Sequence, residues 1–205
     1  MKIAPEPLAA AEIYSLLTGI VVPRPIAWVT TLSADGVVNL APFSCFTFVS
    51  SKPPMIGINV GLRMGERKDT ARNIEATGDF TVNIGDETMI EQIHRSAIAY
   101  APDISEVELL GLELLESERI KTPRLAAAPI ALECQLRETI SFGEVGSQFT
   151  VGEVLLFHIR DGLCIGNKIE TAKLRPVCRL GGPNYAKLGE IVSMQHVGNV
   201  VTGPG

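Results

Sequence analysis

Apolar and polar side chains alternate along much of the chain, a period of two that belongs to half-buried strands. In "PIAWVTTLSADGVVNL", Ile26, Trp28, Thr30 and Leu32 fall on one face and Ala27, Val29 and Thr31 on the other. Asp35-Gly36 then turns the chain, so a β-hairpin is expected. "PMIGINVG" and "DFTVNIG" read as further strands, the second with Phe80, Val82 and Ile84 opposite Thr81 and Asn83. "IALECQLRETISFG" and "SQFTVGEVLLFHIRDG" alternate over longer runs and predict a long antiparallel pair. Helical spacing is confined to short stretches. Leu8, Ile13, Leu16 and Leu17 share a face in "EPLAAAEIYSLLTG", where Gly19 is expected to end the helix. Asp69 or Thr70 is expected to cap a second helix that carries Ala71 and Ile74 and stops at Gly78. Met89, Ile90, Ile93 and Ala97 form a third apolar stripe. From Tyr100 to Pro129, Pro102 and Pro123 space short apolar groups, which predicts loop with brief strands.

Strands outnumber helices and are joined mostly by turns. The expected fold class is therefore mainly β with a few helices, antiparallel, nearer a barrel or sandwich than a doubly wound sheet. Length changes this picture only by setting one unit: a single domain over 1–192, followed by a polar, glycine-rich tail over 193–205 that is expected to be flexible. No apolar run is long enough to span a membrane, and no signal peptide is legible. Cys45, Cys134, Cys164 and Cys178 form no C-x-x-C pair, so reduced thiols, a cytoplasmic location and no metal site are expected. A formal charge of −5 without a long basic cluster argues against a nucleic-acid surface. Neither G-x-G-x-x-G nor a P-loop occurs.

Three segments carry candidate chemistry. "NLAPFSCFTFVSSKPP" has strand-like side chains bracketed by Pro42 and by Pro53-Pro54. Proline removes a ladder donor and is confined to edges, bulges and strand starts, so this backbone is expected to leave the sheet early and face something else. A loop that simply crosses the barrel is the plainer alternative. In "RMGERKDTARN", Arg63, Arg67 and Lys68 lead into a helix start carrying Thr70. Unpaired amides at a helix N-terminus suit a phosphate, although a solvated basic loop with an ordinary cap explains the same residues. "AWVTT" holds the single tryptophan, Trp28, with Thr30 and Thr31, and a core tryptophan among β-forming threonines is the structural alternative.

In order, "PRPIAWVTT", "G-x-x-N-L-A-P-F-S-x-F", "S-x-K-P-P" and "R-K-D-T-x-x-N-I", continuing through "GEV" near Glu153 to "GGPNYAKLGE", resemble the flavin reductase-like family. The resemblance implies an FMN-binding split β-barrel, with FAD the less favoured flavin. It places the ring against Asn39, Ala41, Pro42, Ser44, Cys45 and Phe46, sets Trp28, Thr30 and Thr31 along the ribityl and ring side, and gives the phosphate to Arg63, Lys68, Asp69 and Thr70. The flavin carries the chemistry, so no catalytic side chain is assigned. NADH or NADPH is the implied electron donor, and an oxygenase or another redox protein the implied partner. The alternative within the resemblance is a flavoredoxin-like electron carrier without nicotinamide activity. Homodimers with flavin near the interface are also implied, with Tyr185 and Arg179 as contacts from the second chain. Gln148 stands where many relatives carry histidine, which departs from the pattern for nicotinamide use. His94, His158 and His196 are expected to be structural or solvated.

Overall fold

The computed structural model describes residues 1–63 and 65–194, so the expected tail lies outside the described residues beyond its first two positions. The chain opens with α1 (Ala10–Ile20), whose Glu12 carboxylate accepts a bond from the Ala9 amide at 2.8 Å. A short β1 (Arg24–Pro25) precedes the predicted hairpin, β2 (Ala27–Leu32) and β3 (Val38–Phe43), turned at Gly36 with φ of 85°. Strands β4 (Phe46–Ser51) and β5 (Pro54–Asn59) follow, then a ribbon of β6 (Leu62–Arg63) and β7 (Glu66–Arg67). Helix α2 (Asp69–Thr77) stops at Gly78, which takes the left-handed conformation that its sequence position predicted. Next come β8 (Asp79–Ile84), a 3-10 turn and α3 (Ile90–Arg95).

The proline-spaced region holds a four-residue helix, α4 (Glu106–Leu109), in addition to the expected brief strands β9 (Leu114–Leu115) and β10 (Arg124–Leu125). The long pair is present as β11 (Ile130–Phe142) and β12 (Ser147–Ile159). Short elements complete the described chain: β13 (Cys164–Ile165), β14 (Lys168–Ile169), α5 (Thr171–Leu174), β15 (Cys178–Arg179) and β16 (Tyr185–Ala186).

Seven strands form one antiparallel sheet in the order β3-β2-β8-β11-β12-β5-β4. Its two edges, β3 and β4, are consecutive in sequence and joined only by Ser44-Cys45. The alternation along β2 is real, but both faces are covered. Ala27 and Val29 enter a core with Phe43, Ile58, Phe80 and Val82, while Trp28 packs on the other side with Leu40, Ile93, Val107 and Leu125. Each valine, leucine, isoleucine or phenylalanine so buried contributes about 1.5–3 kcal/mol relative to exposure. Gly152 shows why "GEV" begins with glycine, since a Cβ there would stand 2.5 Å from Cζ of Phe80.

Two expectations need correction. Gly19 does not end α1, which runs on to Ile20; Gly181 passes so close that its own Cβ would sit 3.3 Å from the Gly19 Cα. The apolar residues of α1 do not face a core either. None of its residues is buried, and Tyr14, Leu16, Leu17 and Ile20 are exposed.

Candidate functional site

A cavity of about 430 Å³ runs beside β3, one of the two edges of the sheet. The edge explains Pro42. In an antiparallel ladder alternate residues turn their backbone groups away from the partner strand. The Leu40 amide turns outward to the Glu106 carboxylate at 2.9 Å and the Val38 carbonyl outward to the Ser105 hydroxyl at 2.7 Å. Pro42, two residues on and paired with Trp28, occupies the next outward position, where a missing N–H costs the ladder nothing. The carbonyls of Leu40 and Pro42 face the same way.

At one end of the cavity β6 and α2 bring Arg63, Lys68, Asp69 and Thr70 together with Asn39. The expected side-chain cap is absent: Lys68 occupies the N-cap position, Asp69 opens the helix, and no side chain caps its amides. The Asp69 carboxylate pairs with Arg72, and Thr70 accepts a bond from the Asn39 amide group at 3.1 Å. Neither Arg63 nor Lys68 forms an ion pair among the described residues. Burial, and then repulsion from Arg63, push the Lys68 ammonium below its ordinary pKa, with a small opposing contribution from Cys45. Its Nζ lies 5.4 Å from the centre of the Phe43 ring. A cationic pair held together without a counter-ion, at an uncapped helix start, has the charge and the free amides that attract an anion.

Ala41, Pro42 and Ser44 line the middle of the cavity. Ser44 accepts a bond from Nε of Arg24 at 3.2 Å, and the other nitrogens of that buried guanidinium bind the carbonyls of Thr18, Val21 and Leu180. Arg24 thus fastens α1 and the C-terminal segment to the end of β3. Tyr14, Tyr100 and Tyr185, which are all the tyrosines of the chain, also line the cavity. Tyr185 and Arg179 line the cavity of their own chain. Glu106 is the unforeseen acid; its carboxyl is raised above the ordinary range by burial first, against the stabilising Leu40 amide.

Other predicted residues lie away from this cavity. Trp28 is a core residue whose indole N–H donates to Ser96 at 2.9 Å. Thr30 donates to the Pro123 carbonyl at 2.7 Å, and Thr31 accepts from Asn73 at 3.1 Å; both are fully buried behind β3. Cys45 is exposed at the joint between the sheet edges, and its carbonyl accepts from the Asn59 amide. Phe46 packs partly into the first core. Gln148 lines a separate cleft with Thr150, Ser141 and Arg67, beyond α2. Sequence reasoning missed Arg24, Glu106 and the cavity position of Tyr14 and Tyr100. Only Arg24, inside "PRPIAWVTT", lay within a motif that had drawn attention.

The Flavin reductase like domain matches this chain over residues 19–166. The chain is 44% identical over 199 residues to the uncharacterized protein BH2278 of Halalkalibacterium halodurans, covering 95% of both. The crystal structure of nitrilotriacetate monooxygenase component B from Bacillus cereus is similar at a TM-score of 0.92 and 39% identity, over 95% of this chain and 98% of that one. That of 2-nitrobenzoate 2-nitroreductase NbaA from Pseudomonas fluorescens reaches 0.89 at 33% identity over 100% of both chains.

Proposed function

The chain belongs to the flavin reductase-like family, and from that premise we propose that it is an FMN-binding oxidoreductase, reduced by NADH or NADPH, that passes reduced flavin or electrons to a partner. The observation that carries this reading is the unpaired Arg63 and Lys68 at the uncapped start of α2, opening on the same cavity as the free edge of β3. These residues fit a planar group bearing a phosphate. The two cations and the first amides of α2 hold the phosphate, Thr70 and Asn39 stand beside it, and the edge from Ala41 to Ser44 offers backbone to the ring. When bound, the flavin supplies the two-electron chemistry. Buried Trp28, Thr30 and Thr31 stiffen β2 behind that edge, and Cys45 and Phe46 set the turn that ends it.

Two sheet edges joined by a two-residue link support the split barrel as the finer description of the fold. Likeness to a monooxygenase component supports an oxygenase as the partner. Likeness to a nitroreductase supports a second reading, in which the reduced site acts directly on a small aromatic acid. A homodimer is supported by the exposed apolar residues of α1, by Phe142 and by Phe157. Four free cysteines support a reducing, cytoplasmic setting. Steady-state oxidation of NADH and NADPH, with and without added FMN, tests the reductase reading. Flavin-dependent turnover of either nucleotide is expected; turnover of neither removes the nicotinamide part of the proposal.

A further inference from the structure

The cavity is lined by a further cation, Arg179, apart from Arg63 and Lys68. Arg179 lies on β15, paired with β1, and its guanidinium stacks over the Tyr185 ring at 4.7 Å. Its Nε and one Nη chelate the Gly182 carbonyl at 3.2 and 2.7 Å, and the other Nη donates to the Tyr185 hydroxyl at 2.7 Å. A guanidinium has five N–H groups. Two of them therefore have no acceptor among the described residues, and no carboxylate there pairs with the charge. The Tyr185 hydroxyl also meets Nδ1 of His94 at 3.2 Å, with the rings edge-to-face. The Tyr185 hydroxyl thus joins Arg179 to His94, which fixes the tyrosine beside the guanidinium.

Arg179, Tyr185, Tyr14 and Tyr100 all line the cavity that Arg63 and Lys68 also line; Asn39 bonds to Thr70 beside the first cations, and Arg24, bonded to Ser44, pairs across the strands with Arg179. From Asn39 to Ser44 the edge between the two ends spans roughly 17 Å, at about 3.3 Å per residue. We infer that the Arg179–Tyr185 end is a second anion subsite, which takes the carboxylate of a small planar acid and lays its ring among the tyrosines. This deepens the flavin reading and rests on it for the assignment of the first end: one cavity, with one anionic group at each end. The guanidinium supplies the charge and the paired N–H donors that match a carboxylate. The tyrosines supply flat apolar walls with polar rims.

The test is isothermal titration of sodium benzoate, and of neutral benzamide, into the FMN-loaded protein and into Arg179→Gln and Tyr185→Phe variants, with FMN affinity measured in parallel by fluorescence quenching. Wild type is expected to bind benzoate about tenfold or more tighter than benzamide. Arg179→Gln should abolish that preference while leaving FMN affinity within about twofold, and Tyr185→Phe, which keeps the cation, should weaken benzoate less than Arg179→Gln. Equal binding of benzoate and benzamide by wild type overturns the inference without any variant. So does an Arg179→Gln variant that loses FMN and benzoate alike, because the arginine then belongs to the flavin. Should the protein take up no FMN yet prefer benzoate through Arg179, the subsite stands and the flavin reading falls.

Discussion

Replacing Arg63 and Lys68 with alanine removes both cations from the start of α2, and the structure gives the change opposite signs in binding and in folding. Each cation offers the phosphate a charge-assisted hydrogen bond, worth about 1.5–3 kcal/mol. Together they account for about 3–6 kcal/mol, or roughly 100- to 20,000-fold in the FMN dissociation constant. The flavin-free protein responds the other way. Burial and Arg63 lower the Lys68 pKa in the folded state, so the unfolded chain binds more protons in the interval between the lowered value and the ordinary one near 10.4. Stability of the flavin-free wild type therefore rises with pH through that interval, and below it the protonated lysine is a fixed cost. Arg63→Ala alone relieves part of the cost and should leave the flavin-free protein as stable as wild type or slightly more so. FMN fluorescence titration at fixed ionic strength, with urea denaturation of the flavin-free proteins, measures both signs. Undiminished FMN affinity in the double variant refutes the phosphate assignment.

Glu106→Gln should flatten the pH dependence of stability between the ordinary carboxyl value and its raised one: the folded state binds the extra proton there, so wild type loses stability as pH rises, and thermal melts across acidic to neutral pH report it. Glu133 has the reverse sign. It is fully buried and accepts from the amides of Glu118 and Arg119 at 2.8 and 2.7 Å, with His158 at 2.6 Å. Burial is the largest influence and opposes ionisation, but these bonds together outweigh it and hold the carboxyl below its ordinary value. Its stabilisation should be lost as pH falls through the range below about 4.3, and Glu133→Ala should cost about 3–5 kcal/mol in urea denaturation by stranding its partners. Gly152→Ala should destabilise by about 1–3 kcal/mol, because the added methyl meets the Phe80 ring in the middle of the sheet.

The strands were legible because a period of two survives in the side chains, and β11 and β12 appear where alternation ran longest. Periodicity says that Trp28 and Val29 point to opposite faces, but with a core on each face it does not say which face carries the site. That is why Trp28 and Thr30, conspicuous in sequence, proved to be packing and internal hydrogen bonds. Pro42 was informative for a different reason, since its missing donor restricts it to an edge whatever the side chains do. Glu106 left no signal: α4 is a single turn among prolines, and its carboxylate reaches β3 across 66 residues of sequence. Arg179 and Tyr185 meet the cavity only because β15 returns to pair with β1 near the N-terminus.

An absorbance spectrum of the purified protein, recorded before and after anaerobic addition of NADH and then NADPH, tests the central claim most directly. The account predicts flavin bands that appear on purification or on reconstitution with FMN and that bleach with one of the nucleotides. Flavin bands that neither nucleotide bleaches would leave an electron carrier fed by a protein partner, and a colourless protein that takes up no FMN would contradict the account.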